Sequence, residues 1–123
     1  MELYKKLKCD FEFGDYRGKL TQLVHSGYSQ INILETHKGV TRGSHYHKEA
    51  EECFYVISGK VRVTLTYKGQ TQTLFFESGD FFKIYTFVVH SMYFPEDCIM
   101  IAMYDIPVEK PDGSKDIYNL GTE

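Results

Sequence analysis

Seven short runs of β-branched, aromatic and aliphatic residues, each closed by a turn signal, leave little room for anything but antiparallel sheets. The runs are Leu20–His25, Ser29–Glu35, Cys53–Ser58, Val61–Tyr67, Thr71–Glu77, Phe81–Ile84 and Cys98–Tyr104. Ser58-Gly59, Lys68-Gly69, Ser78-Gly79-Asp80 and Pro95-Glu96-Asp97 punctuate them. Strands at intervals of about 8–12 residues with short turns build a sandwich or a barrel. In the run Val61–Tyr67, Val61, Val63, Leu65 and Tyr67 share one face and Arg62, Thr64 and Thr66 the other. That alternation marks a half-buried strand. No segment carries the periodicity of an amphipathic helix. The tail from Pro107, with Pro111 and Asp112-Gly113, reads as leaving the sheet and packing irregularly over it.

The chain has 123 residues, enough for one domain over 1–123 with its own core. Its 10 Tyr and 9 Phe suit pleated, half-buried surfaces. A net charge of −3 argues against nucleic acid as a partner. There is no apolar run long enough for a membrane span and no apolar stretch behind Met1-Glu2-Leu3-Tyr4-Lys5-Lys6 to serve as a signal peptide. Cys9, Cys53 and Cys98 form neither a disulfide framework nor a Cys-x-x-Cys motif. Free thiols predict a cytoplasmic location.

Chemistry concentrates in Gly39–Gly59. His45 and His47 stand two apart on an extended segment and project from one face. Glu52 opens the next strand, with Phe54 and Val56 on its face. A turn around Lys48–Glu51 would let two adjacent strands bring imidazoles and carboxylate together, and His90 would add a third imidazole. His45, His47, Glu52 and His90 are thus predicted to converge on one point inside the barrel. Neutral imidazole and carboxylate suit a divalent ion such as Zn, Mn, Fe or Ni. The other reading is a polar interior in which the imidazoles do acid–base work without metal.

The spacing G-x5-H-x-H-x4-E-x6-G over Gly39–Gly59 resembles the first motif of the cupin superfamily at every defined position. The second cupin motif, G-x5-P-x-G-x2-H-x3-N, is matched by Gly79 and His90, while Tyr85, Phe87 and Phe94 replace its Pro, Gly and Asn. The motif core spans residues 39–94. The resemblance implies an all-β, single-domain cupin, a jelly-roll β-barrel with its site in the barrel mouth. Tyr85 and Phe87 are expected to close over that pocket. Asp15-Tyr16-Arg17-Gly18 resembles the opening of dTDP-4-dehydrorhamnose 3,5-epimerases, and Arg42-Gly43-Ser44-His45-Tyr46-His47-Lys48 a segment of the WxcM-like sugar-nucleotide 3,4-ketoisomerases. From Asp15 to about Tyr104 the chain also resembles the cupin half of capsular-polysaccharide epimerase-reductases.

These resemblances imply a sugar-nucleotide isomerase or epimerase acting on a nucleotide-linked 4-keto-6-deoxy sugar in surface-polysaccharide biosynthesis. The protons on C3 and C5 of such a sugar are acidic, and imidazole is the side chain whose proton affinity suits their removal near neutral pH. His45 or His47 is the expected base and Tyr85 the expected proton donor. Arg17, Arg42, Lys48 and Tyr93 are the expected substrate contacts, the cations for a diphosphate. Each cation also has a plainer reading, a solvated strand end for Arg42 and Lys48 and a turn ion pair for Arg17. Two other classes fit the same motif: a non-catalytic cupin that binds a metal or small ligand, and a metal-dependent dioxygenase. A homodimer is expected, with the Leu3–Phe13 segment packing across the partner through Leu3, Tyr4, Leu7, Phe11 and Phe13.

Overall fold

A computed structural model describes residues 2–119. Its strands are β1 (Tyr4–Lys6), β2 (Phe11–Asp15), β3 (Gly18–Gln22), β4 (Gln30–Thr36), β5 (Thr41–Tyr46), β6 (Glu52–Ser58), β7 (Lys60–Tyr67), β8 (Gln70–Glu77), β9 (Phe81–Ile84), β10 (Val89–Tyr93), β11 (Cys98–Tyr104) and β12 (Tyr118–Asn119). Among the described residues there is no helix. One sheet runs β1-β9-β6-β11-β4, the other β12-β5-β10-β7-β8, and β2-β3 is a separate hairpin. Every pairing is antiparallel. The two five-stranded sheets pack face to face as the flattened barrel of a jelly roll.

Strand β7 shows how patterning sets the faces. Val61, Val63 and Leu65 are fully buried, whereas Lys60, Arg62 and the other outward positions are wetter. They meet Phe54, Val56, Phe76, Phe82, Ile84 and Met100 in the core between the sheets. Phe82 lies face to face with Phe76, ring centroids 3.8 Å apart, and stacks on Phe54 at 5.4 Å. Phe54 in turn presents its ring to His90 at 6.4 Å. An aromatic column therefore runs from the core to the imidazoles. At the β6–β7 corner the chain must be glycine. Gly59 has φ +86°, and a Cβ there would stand 2.2 Å from the Asp97 carbonyl oxygen.

The outer face of the first sheet is covered by the chain itself. Leu7, Leu23, Val24 and Tyr28 pack on Cys53, Phe81 and Met103. That explains why Cys53, on the outward face of β6, is as buried as Phe54 and Val56 on the inward one. Three sequence expectations need correction. Strands β5 and β6 are consecutive but lie in opposite sheets, so His47 and Glu52 meet across the interior and not along a shared ladder. The Leu3–Phe13 segment does not act as one surface strap. Leu3 is fully buried and β1 pairs with β9 of the same chain, so of the five apolar residues only Phe11 and Phe13 are exposed. The tail is not irregular throughout, because β12 pairs with β5, Tyr118 opposite Tyr46 and Asn119 opposite His45.

Candidate functional site

Three strand segments assemble the cluster. His45 sits on β5 directly opposite His90 on the neighbouring β10. His47 lies just beyond the end of β5, and Glu52 opens β6 in the facing sheet. One donor atom from each of the four lies within 4.8 Å of the others. The His45 and His90 rings are 4.4 Å apart by centroid, and His47 stands 5.4 Å from His45 and 5.5 Å from His90. His47, Glu52 and His90 are buried, and His45 is partly open.

Each imidazole has one nitrogen tied to backbone. The Nδ1 of His47 is 2.7 Å from the Asp116 carbonyl oxygen and that of His90 3.2 Å from Val88. His45 makes its backbone bond to Gly43. A carbonyl only accepts, so Nδ1 of His47 and of His90 carries the proton and Nε2 faces inward. His47 Nε2 is 3.0 Å from Glu52 Oε1. His90 Nε2 is 3.4 Å from the same oxygen without making a hydrogen bond to it, and it is a buried ring nitrogen without a hydrogen-bond partner.

The charges follow from this geometry. Burial pushes the Glu52 carboxyl up, but contacts from His47 and His90 outweigh it and hold Glu52 ionised. For His47 burial works against protonation, and the Glu52 hydrogen bond overturns it, raising its proton affinity. His45 goes the other way, pushed down to about 4 by burial and then by the His90 imidazole. It is neutral at pH 7, with a lone pair to offer. Tyr104, opposite Glu52 in the β11–β6 register, has its ring edge-on to His47 at 5.5 Å and hydrogen-bonds Glu52. Burial and the nearby carboxylate keep its hydroxyl protonated, so it donates.

His45, Glu52, His90 and Tyr104 open onto a cavity of about 420 Å³, walled by Leu34, Phe54 and Met92 and rimmed by Val40, Thr41 and Arg42. That is the size of an ordinary small-molecule site. Arg42 Nε donates to Thr36 Oγ1 at 2.9 Å, which steers the guanidinium along the rim.

Other sequence candidates lie elsewhere. Tyr85 packs against the core and borders a recess with Glu2, Tyr4, Lys5 and Lys6. Phe87 keeps the left-handed backbone of the motif's glycine, φ +67°, and turns its ring outward against Tyr46. Neither closes over the cavity. Tyr93 alternates with the cavity residue Met92 and points out, under Arg62 at 4.8 Å. Lys48 stands 4.2 Å over the Tyr118 ring. Arg17, at the exposed tip of the β2–β3 hairpin, is ion-paired to Asp15 at 2.6 Å, its plainer reading. Sequence reasoning passed over two site residues. Tyr104 was legible as the next inward position after Met100 and Ala102, but Asp116, far along the chain, carries no local signal.

The donor set fits a divalent first-row ion. Two of the imidazoles present Nε2 inward, each with Nδ1–H donated to a carbonyl, the outer arrangement that orients histidine ligands. The buried, unpartnered Nε2 of His90 is what such an ion would satisfy.

Residues 13–103 match the family model described as polysaccharide biosynthesis C-terminal domain. The chain belongs to that family. A UDP-2-acetamido-2,6-beta-L-arabino-hexul-4-ose reductase of Pseudomonas aeruginosa is 29% identical over 110 residues, which is 89% of this chain and 24% of the reductase. This family chain therefore spans about a quarter of that relative. The TDP-quinovose 3,4-ketoisomerase WlaRB of Campylobacter jejuni superposes with a TM-score of 0.78 at 16% identity, covering 94% of both chains. The capsular polysaccharide assembling protein CapF of Staphylococcus aureus does so at 0.67 and 20% identity, over 89% of this chain and 32% of its own. At such identities these likenesses show the fold.

Proposed function

We propose that this chain is a sugar-nucleotide isomerase or epimerase acting on a nucleotide-linked 4-keto-6-deoxy sugar in surface-polysaccharide synthesis. The observation that carries this reading is His45, a neutral imidazole on the wall of a sugar-sized cavity. The family's description, a relative named for a UDP-linked hexul-4-ose and a structural neighbour named as a TDP-quinovose 3,4-ketoisomerase supply the substrate class.

With the sugar in the cavity, His45 takes the proton from C3, and the electron pair moves through C3–C4 onto the carbonyl oxygen. The resulting enediolate is stabilised by Arg42 on the rim, a fixed cation that needs no rearrangement as charge develops. Transfer of the O3 hydroxyl proton to O4 and delivery of a proton from His45 to C4 then give the 3-keto isomer, the proton on His45 having had access to solvent meanwhile. Epimerisation needs a second proton donor, and Tyr104, which lines the same cavity, is proposed for it in place of Tyr85. A nitrogen bonded to metal cannot accept a proton, so the roles divide: His47, Glu52 and His90 would hold a divalent ion, leaving His45 free. Such an ion would supply Lewis acidity toward the same oxygen.

The base works only when unprotonated. With the His45 pKa pushed down to about 4, proton abstraction is expected to stay level as pH falls from 8 to about 5. A pH profile of kcat/KM with its acid limb centred near 6.5, the ordinary histidine value, contradicts His45 as the base.

We also propose that the protein works as a homodimer in the cytoplasm. Phe11, Phe13 and Leu20 share one face of the β2–β3 hairpin and stay exposed, and β4 is a sheet edge with Ile31 and Ile33 exposed. A lone two-stranded hairpin is marginal in water, and exposed apolar edges invite pairing. Cys9, Cys53 and Cys98 are free thiols, as a reducing compartment allows. Light scattering at micromolar concentration should give twice the chain mass of 14.3 kDa, and a monomer there removes the dimer.

A further inference from the structure

Asp116 contributes three oxygens to one short stretch of chain. Its Oδ1 accepts the Lys48 N–H at 2.9 Å, and its Oδ2 accepts those of Glu49 and Ala50 at 2.9 and 2.8 Å. Its backbone carbonyl accepts the Nδ1–H of His47 at 2.7 Å. The carboxylate therefore fixes the turn that separates His47 from Glu52, and the carbonyl fixes the ring of His47. The residue is 1% exposed and its carboxylate makes no salt bridge among the described residues; its hydrogen bonds come from amide donors, and the nearby His47 adds a weaker charge attraction. A burial of that kind is costly unless every acceptor is used.

The segment around it is anchored on both sides. The Asp116 N–H donates to the Val108 carbonyl at 2.9 Å, and Val108 is buried against Ala50 and Tyr104. On the other side Tyr118 pairs with Tyr46 and stacks on its ring at 5.4 Å. This strap crosses the end of β5 where His47 leaves the sheet. A plain turn would not need it, since the turn's amide groups sit next to solvent-facing Lys48 and Glu49.

We propose that Asp116 is a positioning residue for the site: its carbonyl takes the Nδ1–H of His47 and its carboxylate fixes the turn that follows, which together aim Nε2 at Glu52. The proposal rests on the reading of His47 and Glu52 as working members of the site. It assigns the tail a role in binding and chemistry beyond covering the barrel.

The test uses the full chain and two readouts. The first is the ring nitrogen spectrum of His47 by long-range 1H–15N NMR in metal-free protein. The second is affinity for Co(II), read from its visible absorption. Wild type should show a protonated His47 Nδ1. In Asp116→Asn the His47 Nδ1–H signal should lose its hydrogen-bonded position and broaden, and Co(II) affinity should drop about 10–100-fold, the usual effect of losing a partner that orients a ligand. Val61→Ala, in the core, serves as the control at comparable loss of Tm and should change neither. Tyr118→Ala, which loosens the strap and leaves Asp116 intact, should move the His47 spectrum in the same direction, and it decides the matter if Asp116→Asn does not fold. A bare Nδ1 in wild type overturns the proposal. So does a His47 spectrum unchanged from wild type in folded Asp116→Asn, or in Tyr118→Ala should Asp116→Asn not fold. If wild type takes up no Co(II), the metal reading fails by itself and the His47 spectrum alone decides on Asp116.

Discussion

Replacing His45 with Asn is expected to slow proton abstraction from a nucleotide-linked 4-keto-6-deoxy sugar by about 10²–10⁴-fold, the usual effect of removing a general base. Stability should barely change. His45 is partly open, its contact to the Gly43 backbone is local, and it makes no hydrogen bond to Glu52 that would be left broken. His47→Asn is the informative contrast. It also breaks the buried bonds to Glu52 and to the Asp116 carbonyl, so its loss of activity comes with a loss of fold. The comparison is made by following deuterium entry into the sugar and the melting temperature of the same samples. A His45→Asn protein that exchanges as fast as wild type excludes His45 as the base.

Phe82→Ala should be the most damaging change away from the site, at about 3–5 kcal/mol. Phe82 is fully buried between Phe76 and Phe54, and its removal opens a hole in the middle of the aromatic column. For a domain of this size such a loss lowers Tm by roughly 10–20 °C. The damage should travel, because Phe54 is the next ring and lies against His90. Calorimetry measures the first effect. A loss under about 1 kcal/mol would mean that the neighbouring rings collapse into the space.

The sheets were legible because the alternation in Val61–Tyr67 and the glycine turns act locally. Val61, Val63 and Leu65 are buried as the pattern requires. Strand β10 was missed and β5 was read only as an extended segment around His45; both hold the polar face of the site, where imidazole and serine break the apolar alternation. Strands β1 and β2 are short and partly exposed, so they offered little pattern. The four-residue cluster was legible because side chains two apart on a strand share a face whichever sheet they join. That β5 and β6 belong to opposite sheets was not, since sequence adjacency does not separate a hairpin from a crossover. Tyr85 and Tyr93 were chosen for closeness to His90 along the chain. Strand alternation turns Tyr93 outward, and Tyr85 falls in a connection that packs toward β1. Asp116 depends on contacts 66 to 69 residues away, which no local pattern announces.

The most direct measurement is wild-type protein incubated in D2O with a UDP- or dTDP-linked 4-keto-6-deoxy sugar, followed by NMR of the sugar ring. Proton removal by an imidazole on the wall of an open cavity leaves the proton exchangeable with solvent before it returns. The expected result is deuterium at C3, C4 or C5, with a 3-keto isomer or an epimer appearing alongside. Folded protein that leaves several such sugars without deuterium and without rearrangement would contradict the assignment and leave a binding cupin in its place.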